Sequence, residues 1–212
     1  LTPVDSIFAV GPGPVPSGVV SGVALPTRGP DDINQTANTT PATVSLYGPD
    51  GSVRLTVTPF GSAIPGGIRV ASADFNRDGV ADLVASTGFG ATAEVRIFDG
   101  VTGAMLADLF PFGGFTGGTF VSAGDITGDG FPDLLVTPDQ GGGPRVIIYS
   151  GNGYGVLADF FGIPDPSFLG GARTAVGDMN GDGLLEVIVA AGFGGGPRIT
   201  IWDGAAVTAA NG

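Results

Sequence analysis

The stretch that decides the fold is GDMNGDGLLEVIVAAG, residues 177–192. Acidic residues and an Asn alternate around glycines, and an apolar run follows at once. Two further stretches repeat the arrangement, ADFNRDGVADLVASTG at 73–88 and GDITGDGFPDLLVTPD at 124–139. All three read D-x-[N/T]-x-D-G-x-x-[D/E] before a hydrophobic segment. Independent polar turns do not keep the same acidic offsets three times. The first acidic residues, Asp74, Asp125 and Asp178, lie 51 and 53 residues apart. A fixed period of this size marks a repeat architecture.

More than the loop recurs. After each loop comes a short apolar segment, ADLVAS, PDLLVT or LEVIVA. A Gly-rich turn leads to a second segment ending in aromatic-x-Gly: EVRIFDG, RVIIYSG, RITIWDG. A Phe-containing segment follows, and a Gly-Gly pair opens the next unit. Each unit therefore holds four short strands, here A (before the loop), B, C and D, which is the pattern of a propeller blade. The expected fold is all-β: one propeller-type domain over 1–212, built from four-stranded antiparallel blades. About four repeats are expected, with the first incomplete: 1–65 with an insertion at 14–42, then 66–116, 117–169 and 170–212. In the first unit, VDSIFAVGPG (4–13) reads as B, TVSLYGPDG (43–51) as C and RLTVTPFG (54–61) as D. Deleting about 15–40 is expected to leave the fold intact. In the last unit, VTAAN (207–211) reads as a weak D. No window has a sustained 3.6-residue apolar period, so helix is not expected.

The loop has the chemistry of a hard-cation site. Calcium takes six to eight oxygens from carboxylates, carbonyls and water. Oxygen-bearing side chains at positions 1, 3 and 5 of a curled backbone point to a common centre. Gly at position 6 permits the bend, position 7 offers a carbonyl, and a carboxylate at 9 closes the site. Loop one supplies Asp74, Asn76, Asp78, the Val80 carbonyl and Asp82. Loop two supplies Asp125, Thr127, Asp129, the Phe131 carbonyl and Asp133. Loop three supplies Asp178, Asn180, Asp182, the Leu184 carbonyl and Glu186. Up to three calcium ions are expected. An EF-hand opens in the same way but needs an acidic ligand at position 12 and flanking helices. Position 12 here is Ala85, Val136 or Val189, each inside an apolar run.

These residues resemble the FG-GAP/VCBS repeats of integrin α-subunit propellers and bacterial surface proteins. The resemblance rests on the loop, the strand after it and the nearby GFG, and covers about 66–204 with a degenerate copy before it. It implies a calcium-binding propeller and does not by itself imply a function. Thr127 departs as a weaker ligand at position 3, and Glu186 is longer than Asp at position 9. Weaker binding at sites two and three is therefore expected.

Composition narrows the partners. Eight basic residues, all Arg, face 20 acidic ones, for a net charge of −12. So acidic a chain is repelled by nucleic-acid phosphates and anionic lipid. No apolar run reaches the length of a membrane span. Cys is absent, so there is no disulfide frame, and calcium can replace disulfides as the staple. Neither His nor Cys is available as acid, base or nucleophile. An extracellular or cell-surface structural or adhesive protein is the expectation. The alternatives are a carbohydrate-binding propeller and a polysaccharide-degrading one.

Phe98, Tyr149 and Trp202 read as blade packing, with a glycan-stacking platform as the rival. Arg145 and Arg198, after Gly-Gly-Gly-Pro, read as surface residues of structural turns, with an anion cradle as the rival. Asn34 and Asn38 lie in N-x-[ST] sequons. The chain begins at Leu1 without Met or a signal-like segment, which is expected of a processed chain or a fragment. Only 13% of residues are charged and mean hydropathy is +0.36. With an incomplete first blade, this points to self-assembly, with other copies of itself or surface proteins, and glycans, as the partner classes.

Overall fold

The computed structural model describes residues 41–209 and the strand at 19–22. Within them lie four antiparallel sheets, each a sequential meander. The first contains β1 (Val19–Gly22), β2 (Val44–Tyr47) and β3 (Val53–Val57). The second contains β4 (Ile68–Ala73), β5 (Asp82–Thr87), β6 (Val95–Phe98) and β7 (Met105–Leu109). The third contains β8 (Thr119–Gly124), β9 (Asp133–Pro138), β10 (Arg145–Tyr149) and β11 (Val156–Phe161). The fourth contains β12 (Ala172–Gly177), β13 (Glu186–Ala191) and β14 (Ile199–Trp202), and a short helix α1 (Gly204–Ala209) follows. Each sheet is a blade, and the result is an all-β, propeller-type array.

Strand B of the complete blades is buried along its whole length in β5 and β9. It lies between two hydrogen-bonded neighbours, and both its faces meet other blades. This is why it reads as a continuous apolar run rather than an alternating one. Consecutive blades pack face to face. The face of one blade that looks toward the next in sequence is called forward here, and the opposite face rear. Val44 and Leu46 of the first blade meet Leu83 and Phe98 of the second. Val84, Val95 and Ile97 meet Leu134, Val136, Ile147 and Tyr149 of the third. Leu135, Val146 and Ile148 meet Val187 and Val189 of the fourth.

The Gly-Gly pairs sit where blades cross. A Cβ on Gly66 would lie 2.1 Å from the Phe89 nitrogen of its own blade. A Cβ on Gly118 would lie 2.6 Å from that same nitrogen, now in the preceding blade. Gly67, Gly118 and Gly171 have φ of 74°, 87° and 71°, a region costly for other residues. Inner strands β4, β8 and β12 place Arg69, Phe120 and Arg173 at one shared position. The two guanidinium carbons lie 4.1 and 3.8 Å from the Phe120 ring centroid. Asp139 pairs with both, at 2.5 Å to Arg69 and 3.2 Å to Arg173.

Two expectations change. The segment 207–211 does not supply a fourth strand: 204–209 is helical. Asp203 caps it, its Oδ1 accepting from the Ala206 amide at 2.7 Å, and Val207 packs against the buried cluster between blades three and four. Helix was therefore wrongly excluded at this point. In the first blade, β1 lies within the expected insertion. It pairs with β2 as Val19↔Tyr47 and Val20↔Leu46, the same register as Leu83↔Phe98 and Val84↔Ile97 in the second blade. Residues 19–22 thus fill the B position, and deleting 15–40 would remove a strand. The segment 4–13, read as B, lies outside the described residues, as do Asn34 and Asn38.

Candidate metal centres in the acidic loops

Each loop joins strand A to strand B and curls by the same device. The position-1 carboxylate reaches across the loop to backbone amides. Asp74 accepts from Asp78 at 3.0 Å and Gly79 at 2.9 Å. Asp125 accepts from Gly128 at 2.7 Å and Gly130 at 2.8 Å. Asp178 accepts from Gly181 at 2.6 Å and Gly183 at 3.0 Å. The position-5 carboxylates of Asp78, Asp129 and Asp182 each accept from the position-7 amide at 2.8 Å. The position-6 glycines, Gly79, Gly130 and Gly183, have φ of 88°, 86° and 89°, as the bend requires.

Position 4 is also left-handed, with φ of 60° at Arg77, 75° at Gly128 and 81° at Gly181. The sequence reading missed this because Arg77 is not glycine. Its guanidinium lies 4.8 Å from the Phe131 ring centroid in loop two, so loops one and two touch.

Position 9 points inward. Asp82 and Asp133 are fully buried. Asp82 accepts from the Phe75, Asn76 and Gly100 amides at 2.8, 3.2 and 2.8 Å. Asp133 accepts from Ile126, Thr127 and Gly151 at 3.0, 3.2 and 3.2 Å. These bonds tie the loop to the end of strand C. They also account for the Gly of aromatic-x-Gly: a Cβ on Gly100, Gly151 or Gly204 would lie 2.0–2.1 Å from a carbonyl at loop position 8. Burial raises the Asp82 carboxyl to about 6 against the pull of its three amide donors, and the Asp74 carboxylate adds to the rise. Burial raises Asp133 in the same way.

The donor set fits a hard cation in chemistry. Thr127 Oγ1 is buried and has no hydrogen-bond partner, at a position expected to face the ion. In loop three the Asn180 side-chain amide contacts both Asp182 Oδ2 at 3.0 Å and Glu186 Oε1 at 3.1 Å. Candidate ligands at positions 3, 5 and 9 therefore meet there. In loop one the Asn76 amide contacts Asp78 at 3.3 Å and Asp99 at 2.8 Å; Asp99, at the end of strand C, was not singled out from the sequence. Among the described residues, no three Asp, Glu, His or Cys side chains are gathered into a closed cage. The carboxylates are turned onto backbone amides, the arrangement that a bare Asx-turn loop also adopts. The position-7 carbonyls of Val80, Phe131 and Leu184 belong to these same loops.

The other polar candidates are accounted for by packing. Phe98 and Tyr149 are buried between blades. Trp202 is half-buried, meets Phe160 edge-on at 5.3 Å and donates from Nε1 to the Gly162 carbonyl at 2.9 Å. Arg145 binds Asp159 through two nitrogens at 2.6 and 2.5 Å, and Arg198 pairs with Asp165 at 3.0 Å. Ala85, Val136 and Val189 are buried in β5, β9 and β13, where an EF-hand would need its last ligand. Among the described residues no helix is long and apolar enough to cross a membrane.

The comparison with curated proteins returns no match. The comparison with family models matches residues 125–189. That span opens on the first carboxylate of loop two and runs through blade three into β13. Loop one and blade two lie outside it but repeat its geometry. The family whose model residues 125–189 match is the FG-GAP-like repeat.

Proposed function

We propose that this chain is an extracellular, calcium-stabilised repeat protein with a structural or adhesive role at a cell surface. The observation that carries the calcium reading is the buried, unpartnered Thr127 hydroxyl within a loop whose curl recurs three times. Asp74, Asn76, Asp78, the Val80 carbonyl and Asp82 would hold the first ion, and the equivalent residues of loops two and three the others. A bound cation supplies positive charge where each loop carries three carboxylates. The chain's own residues pre-form the curl: the position-1 carboxylates fix the turn, the position-6 glycines permit it, and the position-9 carboxylates lock it to strand C. The role is read as non-catalytic because the acidic side chains are engaged in loop structure and the chain has no His or Cys. An extracellular setting accords with the FG-GAP-like repeat and with the use of calcium in place of disulfides.

Calcium titration of chelator-treated protein tests this reading. Binding only to the folded state raises its stability by mass action. An affinity on the order of 10⁻⁴ to 10⁻³ M suits extracellular modules. The melting temperature should rise on adding calcium, and calorimetry should count up to three ions. An identical melt in calcium and in chelator, with no binding heat, would overturn the calcium reading.

A further inference from the structure

At the inner strands two guanidiniums share a single carboxylate. Arg69, of blade two, meets the Phe120 ring from the rear side of blade three, and Arg173, of blade four, meets it from the forward side. Asp139 is divided evenly between them. Its Oδ2 accepts from Arg69 Nη2 and its Oδ1 from Arg173 Nη2, so it cancels one positive charge of the two. The arginines of strand C are matched differently. Arg96 faces both Glu94 and Asp108, Arg145 faces Asp159 and Arg198 faces Asp165. In a chain whose net charge is −12, the inner-strand pair keeps a local excess of positive charge.

Packing between blades accounts for Phe120 and Asp139 but not for the other donors of the pair. A guanidinium carries a planar fork of N–H donors. Arg69 Nη1 is buried and has no hydrogen-bond partner, a state that natural structures rarely leave without a reason. Arg173 Nη1 reaches the Ala172 carbonyl at 3.4 Å, beyond the usual range of an N–H···O bond. Burial lowers the Arg69 guanidinium from its ordinary value, and Arg173 adds to that fall against the pull of Asp139. A second anion would relieve both effects. The pair is also open to solvent, with the Arg69 and Arg173 side chains 23% and 39% exposed.

Two exposed phenyl rings rise beside it. The turns after β5 and β13 carry Phe89 and Phe193, 64% and 56% exposed. Strand register sets Arg69 opposite Ser86 and Arg173 opposite Ala190, three residues before each Phe. A Cβ on Gly192 would lie 2.9 Å from Arg173 Nη1, and a Cβ on Gly118, two residues before Phe120, would lie 2.6 Å from the Phe89 nitrogen. Both turns therefore border the guanidiniums. Gln140, exposed at the same turn position of blade three, adds a side-chain amide.

We propose that this cluster binds a hexuronate: Arg69 and Arg173 hold the carboxylate, and Phe89 and Phe193 cover the C–H faces of the sugar ring. The planar fork of a guanidinium matches the two oxygens of a carboxylate. Aromatic walls with a few convergent polar groups are the common make-up of a small-ligand site, and the Gln140 amide suits a hydroxyl. The acidic chain repels a polyanion, so the preferred ligand is one hexuronate in an otherwise neutral glycan. This gives the adhesive role a ligand class. It rests on that role for its setting alone, because the calcium loops take no part in the contacts.

Titration of the full chain with glucuronate, followed by calorimetry, tests the site, with glucose, acetate and a blocked aspartate peptide as comparisons. Glucuronate should bind saturably and about tenfold or more tighter than each of the three. Arg173→Met should weaken it about tenfold, and Arg173→Lys, which keeps the charge without the fork, should recover part of the loss. Phe193→Ala should weaken glucuronate and leave acetate unchanged. Arg198→Gln, in a guanidinium already matched by Asp165, should change neither. Thermal melts confirm that each variant is folded. Equal binding of glucuronate and acetate, equal binding of glucose, or tighter binding of the peptide would overturn the proposal. So would no binding at all, or binding untouched by Arg173→Met. Repeating the titration in chelator separates the two readings: glucuronate binding that persists there stands even if calcium does not bind.

Discussion

Loops two and three differ by one methylene at position 9, and that difference separates two jobs of the same carboxylate. Asp133 spans the loop and strand C, taking two amides from Ile126 and Thr127 and a third from Gly151. Glu186 takes one backbone amide, from Met179 at 2.6 Å, and turns its other oxygen to the Asn180 side chain. The shorter side chain acts as a clamp between elements. The longer one reaches past the clamp position and joins the side chains at the loop centre. Gly204, the counterpart of Gly151, opens α1 instead of a turn into a fourth strand. The loop that lacks the three-amide clamp is thus the one whose blade lacks its outer strand among the described residues.

Removing the two carboxylates should break this symmetry most visibly. Asp133→Ala leaves three buried or half-buried amides without an acceptor. At about 1–3 kcal/mol for a buried unsatisfied group, the expected loss is about 3 kcal/mol or more. Glu186→Ala frees one backbone amide and should cost about 1–2 kcal/mol. Urea unfolding of both variants in chelator measures the difference. Equal losses would show that position 9 does the same work in both loops.

Acidity sharpens the comparison with a smaller effect. In chelator, the Asp82 carboxyl titrates near 6 in the folded state, above its unfolded value. The folded form therefore binds the proton more tightly. The stability contributed by this group is fully present below about pH 4 and is lost as pH rises through about 6. Asp133 shifts in the same direction. Asp50, Asp99 and Asp165 are shifted downward and act in more acid solution. Urea midpoints of metal-free protein should accordingly fall between pH 5 and pH 7, and Asp82→Asn should flatten that slope. A midpoint that climbs with pH over this window in chelator would contradict the buried-carboxyl account.

The smallest effect concerns position 4, where loop one has Arg77 at a φ of 60° and loops two and three have glycine. Arg77→Gly relieves left-handed backbone strain of about 1–2 kcal/mol, but it frees the unfolded chain at a cost of about 0.4–1 kcal/mol and forfeits a contact with the Phe131 ring worth about 0.5–1 kcal/mol at an exposed site. The three nearly cancel, so thermal melts should move by no more than about 0.5 kcal/mol equivalent. Arg77→Ala loses the same contact and keeps the strain, and should be the less stable of the two by about 0.5–1 kcal/mol, the left-handed strain less the entropy that glycine restores to the unfolded chain.

What was legible in the sequence follows from what repeats locally. The loop offsets, the apolar B strands and the aromatic-x-Gly endings are set by contacts within a blade or between adjacent ones, so they recur as short strings. Gly100, Gly151 and Gly204 were visible as a motif before the reason, contact with a loop carbonyl, was known. Strand β1 was missed because VVSG (19–22) is short and lies in a Pro-, Gly- and Thr-rich stretch, while VDSIFAV (4–10) matched the apolar pattern better. Helix α1 was missed because six residues are too few to display a helical period. The Arg69–Phe120–Arg173 stack was present in the sequence as one position of three aligned repeats, but its meaning lies between blades. Alternation, not identity, was the signal there.

That alternation limits how such an array can grow. Phe120 accepts a cation on either side because it is not itself a cation, and Asp139 balances the pair. A chain lengthened by copying blade two in tandem would set guanidinium against guanidinium at the inner strands. Copying blade three would set ring against ring and leave each Asp139 with one guanidinium in place of two. New units at this position must therefore diverge from their neighbours soon after duplication, or arrive two at a time. The inner strand keeps a parity that the rest of the repeat does not record.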